Sequence, residues 1–287
     1  MNQRNFTFIL TLFLCTFVGN TLQSEFVSNP LIPDVECGRS VEGVSSLLVG
    51  NKEFPWIARV SFSKHPGKFF CDGVLINQRY ILTAGLCIED KTLERKGNLD
   101  KIRLGDHNCL PGEEDCVSNS YVDVDIENVI LHPAYGNEND VTHDDIGLIR
   151  LKEDVKFNDN ISPVCLPKPN ELAKPGEKAF EVGWPRNSID KLKAELTISD
   201  QQKCFEYYYW NNWHVSLSGS HLCAGDYPDG NCTSSSGGAL VRLRKPENNW
   251  LLEGITSFGP SRCNTDIPSV FTKVKNYLQW IHDNVKN

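Results

Sequence analysis

The clearest period-two pattern lies at Tyr121-Val122-Asp123-Val124-Asp125-Ile126, where Val122, Val124 and Ile126 fall on one face and the aspartates on the other. A pleated strand sends successive side chains to opposite faces, so this segment predicts a half-buried antiparallel strand with its aspartates in water. Arg242 and Arg244, followed by Lys245, read as alternation on a strand edge rather than as a basic binding patch. The dense aromatic run from Phe205 to His214 predicts a short helix that packs some rings inward. Rings left outside would form a partner surface, with Trp210 and Trp213 as its candidates. Near the start, Arg4 precedes the apolar run Phe6 to Val18 and then Gly19-Asn20-Thr21. That order predicts a secretory signal peptide over residues 1–22, too short and wrongly flanked for a membrane span.

Composition agrees with an extracellular chain. Of 11 cysteines, Cys15 lies in the leader, which leaves an even ten for disulfides in a secreted protein. Spacing alone does not fix their connectivity. The formal charge of −8 excludes nucleic acid and anionic membranes as natural partners. Two glycosylation sequons occur, Asn160-Ile161-Ser162 and Asn231-Cys232-Thr233. The first predicts a glycan at Asn160, whereas a cysteine in the middle argues against occupancy of the second. The run Glu113-Glu114-Asp115, with Asp106 as an extra ligand, raises a calcium reading. Consecutive carboxylates do not converge easily on one ion, so a solvated charged loop with no metal or other cofactor is the expectation.

The chemistry-bearing motifs come in a fixed order. Ile81-Leu82-Thr83-Ala84-Gly85-Leu86-Cys87 ends with fifteen residues between Cys87 and the Cys71 of Cys71-Asp72-Gly73-Val74-Leu75-Ile76. Asp145-Ile146-Gly147-Leu148-Ile149 follows, then Ser236-Gly237-Gly238-Ala239-Leu240, then Ser269-Val270-Phe271-Thr272-Lys273-Val274 and Trp280-Ile281. Together these segments resemble the chymotrypsin-like serine peptidases over residues 47 to 287. Their patterns read Cys-Gly-Gly-Ser-Leu-Ile, Thr-Ala-Ala-His-Cys, Asp-Ile-Ala-Leu-Leu and Gly-Asp-Ser-Gly-Gly-Pro-Leu. The resemblance implies an all-β fold of two six-stranded antiparallel barrels with a C-terminal helix. It also implies disulfides Cys71–Cys87, Cys204–Cys223, Cys232–Cys263 and Cys37–Cys165, the last tethering a short segment over residues 23–46. Cys109 and Cys116 would close a small loop like that of arthropod clip-domain proteases of the Easter type, which Arg103-Leu104-Gly105-Asp106-His107 also resembles. Residues 24–46 hold only Cys37, so the six-cysteine framework of a clip domain is not expected there. With the cysteines paired and the histidines scattered, zinc has little support.

Against that pattern several residues have changed. Leu86 stands where the family has the histidine base, leaving Asp145 and Ser236 as vestiges of the triad. A serine hydroxyl needs an imidazole to take its proton and return it to the leaving amine, and leucine does neither. Loss of such a base costs about 10⁶ in turnover in a peptidase of another fold. His143, two positions before Asp145, is considered as a substitute base, but the pattern puts it on a loop away from Ser236. Ser235 replaces the aspartate that pairs with a newly cut N-terminus, and Ser234 replaces a glycine of the oxyanion hole. Gly230 stands where trypsin-like members carry the pocket aspartate, and Gly259 and Ser269 complete the specificity pocket, Ser269 in place of glycine. Leu48-Val49-Gly50-Asn51 is similar to the family's mature start, but no basic residue precedes it; cleavage after Arg39 is the alternative.

The expectation is a secreted, catalytically inactive serine protease homologue. It would bind extracellular proteases, their zymogens or their substrates as a cofactor, scaffold or decoy in a cascade such as melanisation or innate immunity. Two other readings stand beside it: a residual endopeptidase using an unidentified base, and a competitive inhibitor of a true protease.

Overall fold

A computed structural model describes residues 29–287 except 34–35, 44, 111–119, 139–140, 172, 186–187, 211–216, 218, 226–234 and 260–266, and the side chains of 137, 138 and 141. The first half contains β1 (Ile57–Phe62), β2 (Phe69–Leu75), β3 (Tyr80–Thr83), α1 (Asp90–Lys96), β4 (Leu99–Leu104), β5 (Val122–Leu131), the short pair β6 (Gly136–Glu138) and β7 (Val141–His143), and β8 (Gly147–Leu151). The second half contains β9 (Lys178–Gly183), β10 (Leu192–Ile198), α2 (Gln201–Trp210), β11 (His221–Gly225), β12 (Ala239–Arg244), β13 (Asn249–Phe258), β14 (Ser269–Lys273) and α3 (Leu278–Asn284).

The strands close into two antiparallel barrels, ordered β1-β2-β3-β8-β5-β4 and β10-β11-β14-β13-β12-β9. Closure requires strongly bent strands, and register shifts within β1, β5, β12 and β13 supply the bends. β3 is buried at every position, because one face fills its barrel and the other is covered from outside. The alternating segment of β5 pairs with β4, placing Asp123 opposite Arg103 and Asp125 opposite Lys101. Val124 is buried, whereas Val122, at the strand's beginning, is 46% exposed. β12 pairs with β9 only as far as Val241. Beyond that point Arg242 reaches Glu253 at 2.6 Å and Arg244 reaches Glu171 at 3.1 Å, so both cations are neutralised within the fold.

The segment before β1 is held at several points. Cys37 is bonded to Cys165. Asn29 donates its backbone N–H to His282 Nδ1 at 2.6 Å and its side-chain amide to the His282 and Val285 carbonyls at 2.8 Å each, which straps it across α3. Leu48 bridges Leu192, Val49 donates to the Lys191 carbonyl at 2.9 Å, and Lys193 donates to the Leu47 carbonyl at 2.8 Å. Residues 47–49 thus extend the second barrel along β10.

Candidate active-site remnant

Asp145 is set by a turn immediately before β8. Asp144 adopts a left-handed backbone (φ 50°), a conformation that aspartate tolerates better than bulkier residues. The turn sends Asp145 inward, where it is 1% exposed. Its Oδ1 accepts the backbone N–H of Leu86 at 2.8 Å, and Gly85 N–H also donates to it. On the other side the Ser257 hydroxyl donates to Oδ2, and the Thr272 hydroxyl donates to the Asp145 carbonyl at 2.7 Å. Burial raises the Asp145 carboxyl to about 6 in spite of these donors, with the nearby Glu89 charge adding to the rise. The aspartate is therefore well hydrogen-bonded, with no imidazole among its partners in the described residues.

Leu86 sits in a single 3₁₀ turn, Gly85–Cys87, at the end of β3. The Cys71–Cys87 disulfide clamps this turn to β2, and Cys87 Sγ lies 3.4 Å from the Ser236 carbonyl oxygen. Asp72 donates its backbone N–H to that same carbonyl at 2.9 Å. Leu86, Asp145 and Ser236 are thus gathered at one place between the barrels. Gly237, next to Ser236, has φ 92°, and a Cβ there would stand 2.0 Å from the Asp72 carbonyl oxygen, so only glycine fits this approach.

Six of the seven histidines are among the described residues, and each has a partner other than Ser236. His143 lies on the surface with Nδ1 3.3 Å from Asp144 Oδ2. His65 packs on Phe70, and His132 on Tyr277 and Trp280. His107 Nδ1 meets the Gly105 carbonyl, His221 Nε2 meets the Thr142 carbonyl, and His282 takes the Asn29 N–H.

Of the residues expected at the pocket and oxyanion positions, Ser235, Gly259 and Ser269 are among those described. Ser269 is buried, and a Cβ on Gly259 would stand 2.7 Å from its hydroxyl, so the serine side chain lies closely against Gly259. Ser234, Gly230, the Cys232–Cys263 pair and Asn231 lie outside the described residues. So do Trp213, Cys116 and Glu113 to Asp115. Cys109 is disulfide-bonded. Asp106 places Oδ2 3.1 Å from Arg59 Nη1, so an internal cation already occupies that carboxylate. Asn160 accepts the Lys52 N–H at 2.8 Å through its side-chain oxygen. On α2, anchored by the Cys204–Cys223 disulfide, Cys204 and Tyr208 are buried. Phe205, Tyr207, Tyr209 and Trp210 remain exposed, Trp210 at 77%.

Two features escaped the sequence analysis. One is Glu53, which forms a buried ion pair with Lys193 and accepts the Gly50 N–H at 3.1 Å, pinning the segment before β1. The other is Asp72, 1% exposed, whose Oδ2 accepts Trp184 N–H at 2.9 Å and Ser235 N–H at 3.2 Å. Burial pushes its carboxyl up to about 7, opposed by these donors and by Arg59. The available signal was an aspartate at a position where the resembling pattern has glycine.

The chain matches the family described as Trypsin over residues 49–281. CLIP domain-containing serine protease B4 of Anopheles gambiae is 36% identical over 248 residues, covering 81% of this chain and 67% of that protein. Phenoloxidase-activating factor 1 of Holotrichia diomphalia is 36% identical over 275 residues, covering 89% and 74%. Melanization protease 1 of Drosophila melanogaster is 33% identical over 288 residues, covering 90% and 69%.

Proposed function

We propose that this chain, which belongs to the trypsin family, works by binding other proteins rather than by cutting them. The observation that carries this reading is the placement of Leu86. Its backbone N–H takes up Asp145 Oδ1 at 2.8 Å, so the register of the base position is kept while its side chain has no proton to exchange. Without a base, the Ser236 hydroxyl is a poor nucleophile, and the expected loss is about 10⁶ in turnover. Ser235 and Ser269 support the same reading. The first removes the countercharge for a cut N-terminus, and the second puts a side chain against Gly259 at the expected pocket position.

The names of the relatives, a phenoloxidase-activating factor and a melanization protease, support a setting in an extracellular immune cascade. In it this chain is a secreted cofactor, scaffold or decoy, released after removal of residues 1–22. The barrels over 47–287 present the binding surface, and residues 23–46 form a tether. Its partners are proteases of that cascade, their zymogens or their substrates. The exposed face of α2, with Tyr209 and Trp210 at its end, is the proposed contact, because exposed clustered aromatics supply large contact area at low entropy cost. A fully inactive Ser236→Ala chain tests the reading in a reconstituted cascade. It should change the rate of zymogen activation as much as the unaltered chain does. An effect that disappears with the hydroxyl would reveal catalysis instead.

A further inference from the structure

Two departures from the family pattern, separated by 163 residues in sequence, meet in space. At 72 the chain has aspartate where the pattern has glycine; at 235 it has serine where the pattern has aspartate. The Asp72 carboxylate lies against the backbone of the loop that carries Ser236. It accepts Ser235 N–H at 3.2 Å and Trp184 N–H at 2.9 Å on the same oxygen, and the Ser235 side chain also hydrogen-bonds it.

We infer that Asp72 replaces the lost loop aspartate: the carboxylate has moved from the loop to the facing strand, where it holds the loop in its assembled position without a cleaved N-terminus. A glycine at 72 could accept none of these donors. A buried carboxylate holding two or three of them fixes the groups that make them. Asp72 also links the halves of the fold, since it stands on β2 of the first barrel while Trp184 and Ser235 belong to the second.

The surroundings supply the countercharge that an inserted ammonium gives elsewhere. Arg59, on β1, lies 4.8 Å over the Trp184 ring and pairs with Asp106. Lys191, just before β10 and buried, lies 5.4 Å over the same ring. Both cations act on the carboxylate region from the chain's own side chains. Meanwhile the segment that resembles a mature start is engaged elsewhere: Val49 donates to Lys191 and Leu48 bridges Leu192. The loop is further tied by Gly237 N–H to the Thr256 carbonyl at 2.9 Å. The backbone from Ser235 to Gly237 is therefore held in the uncut chain, and this holds whether or not Ser236 reacts.

Amide hydrogen exchange on the full, uncut chain tests the inference. Ser235 and Trp184 amides should be protected before any cleavage, and protection should not increase after a protease cuts near Arg39. Asp72→Ala should speed exchange of these two amides by about tenfold or more while β3 and β8 amides keep their rates. Asp72→Asn, which keeps an acceptor oxygen, should restore most of the protection. Three results would each overturn the inference: open-chain exchange of the Ser235 amide in the unaltered uncut protein, protection that appears only after cleavage, or a folded Asp72→Ala variant with both amides unchanged. If Asp72→Ala does not fold, the comparison of the unaltered chain before and after cleavage still decides.

Discussion

Burial governs the charge of the Asp145 carboxyl. An imidazolium beside it would favour its ionised form, but here burial dominates and its carboxyl is raised from 3.8 to about 6. The folded chain therefore keeps a proton that the unfolded chain releases. The resulting penalty is absent below about pH 4, grows as pH rises and is complete above about pH 6, where two pKa units correspond to about 3 kcal/mol. Asp145→Asn should remove this slope. Urea unfolding at about pH 4.5 and about pH 7.5 should show the variant gaining on the unaltered chain at the higher pH; an equal difference at both values would contradict the assignment. Restoring the base is a second residue-scale prediction. Leu86→His alone should leave hydrolysis of fluorogenic peptides at background, because Ser234 at the expected oxyanion position and Gly230 and Ser269 at the expected pocket positions would still differ from the catalytic pattern. Measurable turnover by that single variant would show that those changes matter less than argued. Leu86 was legible in the sequence because the Cys71 and Cys87 flanks fix its register. Asp72 was not, because its partners at 184 and 235 are brought near only by the packing of two barrels.

At the scale of elements, the segment before β1 is held by a charge pair rather than by apolar burial alone. The Glu53 and Lys193 side chains are 3% and 6% exposed, so removing one partner leaves the other charge buried and unpaired. Lys193→Met should cost about 3 to 5 kcal/mol in unfolding free energy, and Glu53→Leu added to it should recover much of that loss. Chemical denaturation of the two variants checks this; a single replacement within about 0.5 kcal/mol of the parent would mean the pair is dispensable. The pair was invisible in the sequence because nothing local connects residue 53 to residue 193. α2 gives the opposite case. Its aromatic run was obvious, but only the fold separates Tyr208, buried, from Trp210, exposed. Trp210→Ala should leave the thermal midpoint within about 1 °C, since exposed positions contribute little to stability. The same change should weaken partner binding by about tenfold or more, read by titration against a captured partner. Unchanged affinity would move the contact surface elsewhere.

Across the whole molecule, the barrel architecture was readable because strand patterns and cysteine spacings repeat a known order, and both barrels close as that order implies. The finer assembly was less readable, since it depends on contacts across the barrels: Ser257 on Asp145, Asp72 on Ser235, Glu53 on Lys193. Of these, the Asp72 contact ties Ser235, next to Ser236, to the first barrel. The function proposed above joins two closed barrels to an inert Ser236 hydroxyl. Reaction of the intact chain with a serine-directed fluorophosphonate, beside trypsin at equal concentration, tests this most directly. The account predicts that trypsin is labelled within minutes while Ser236 stays unlabelled over hours. Rapid, stoichiometric labelling of Ser236 would contradict it.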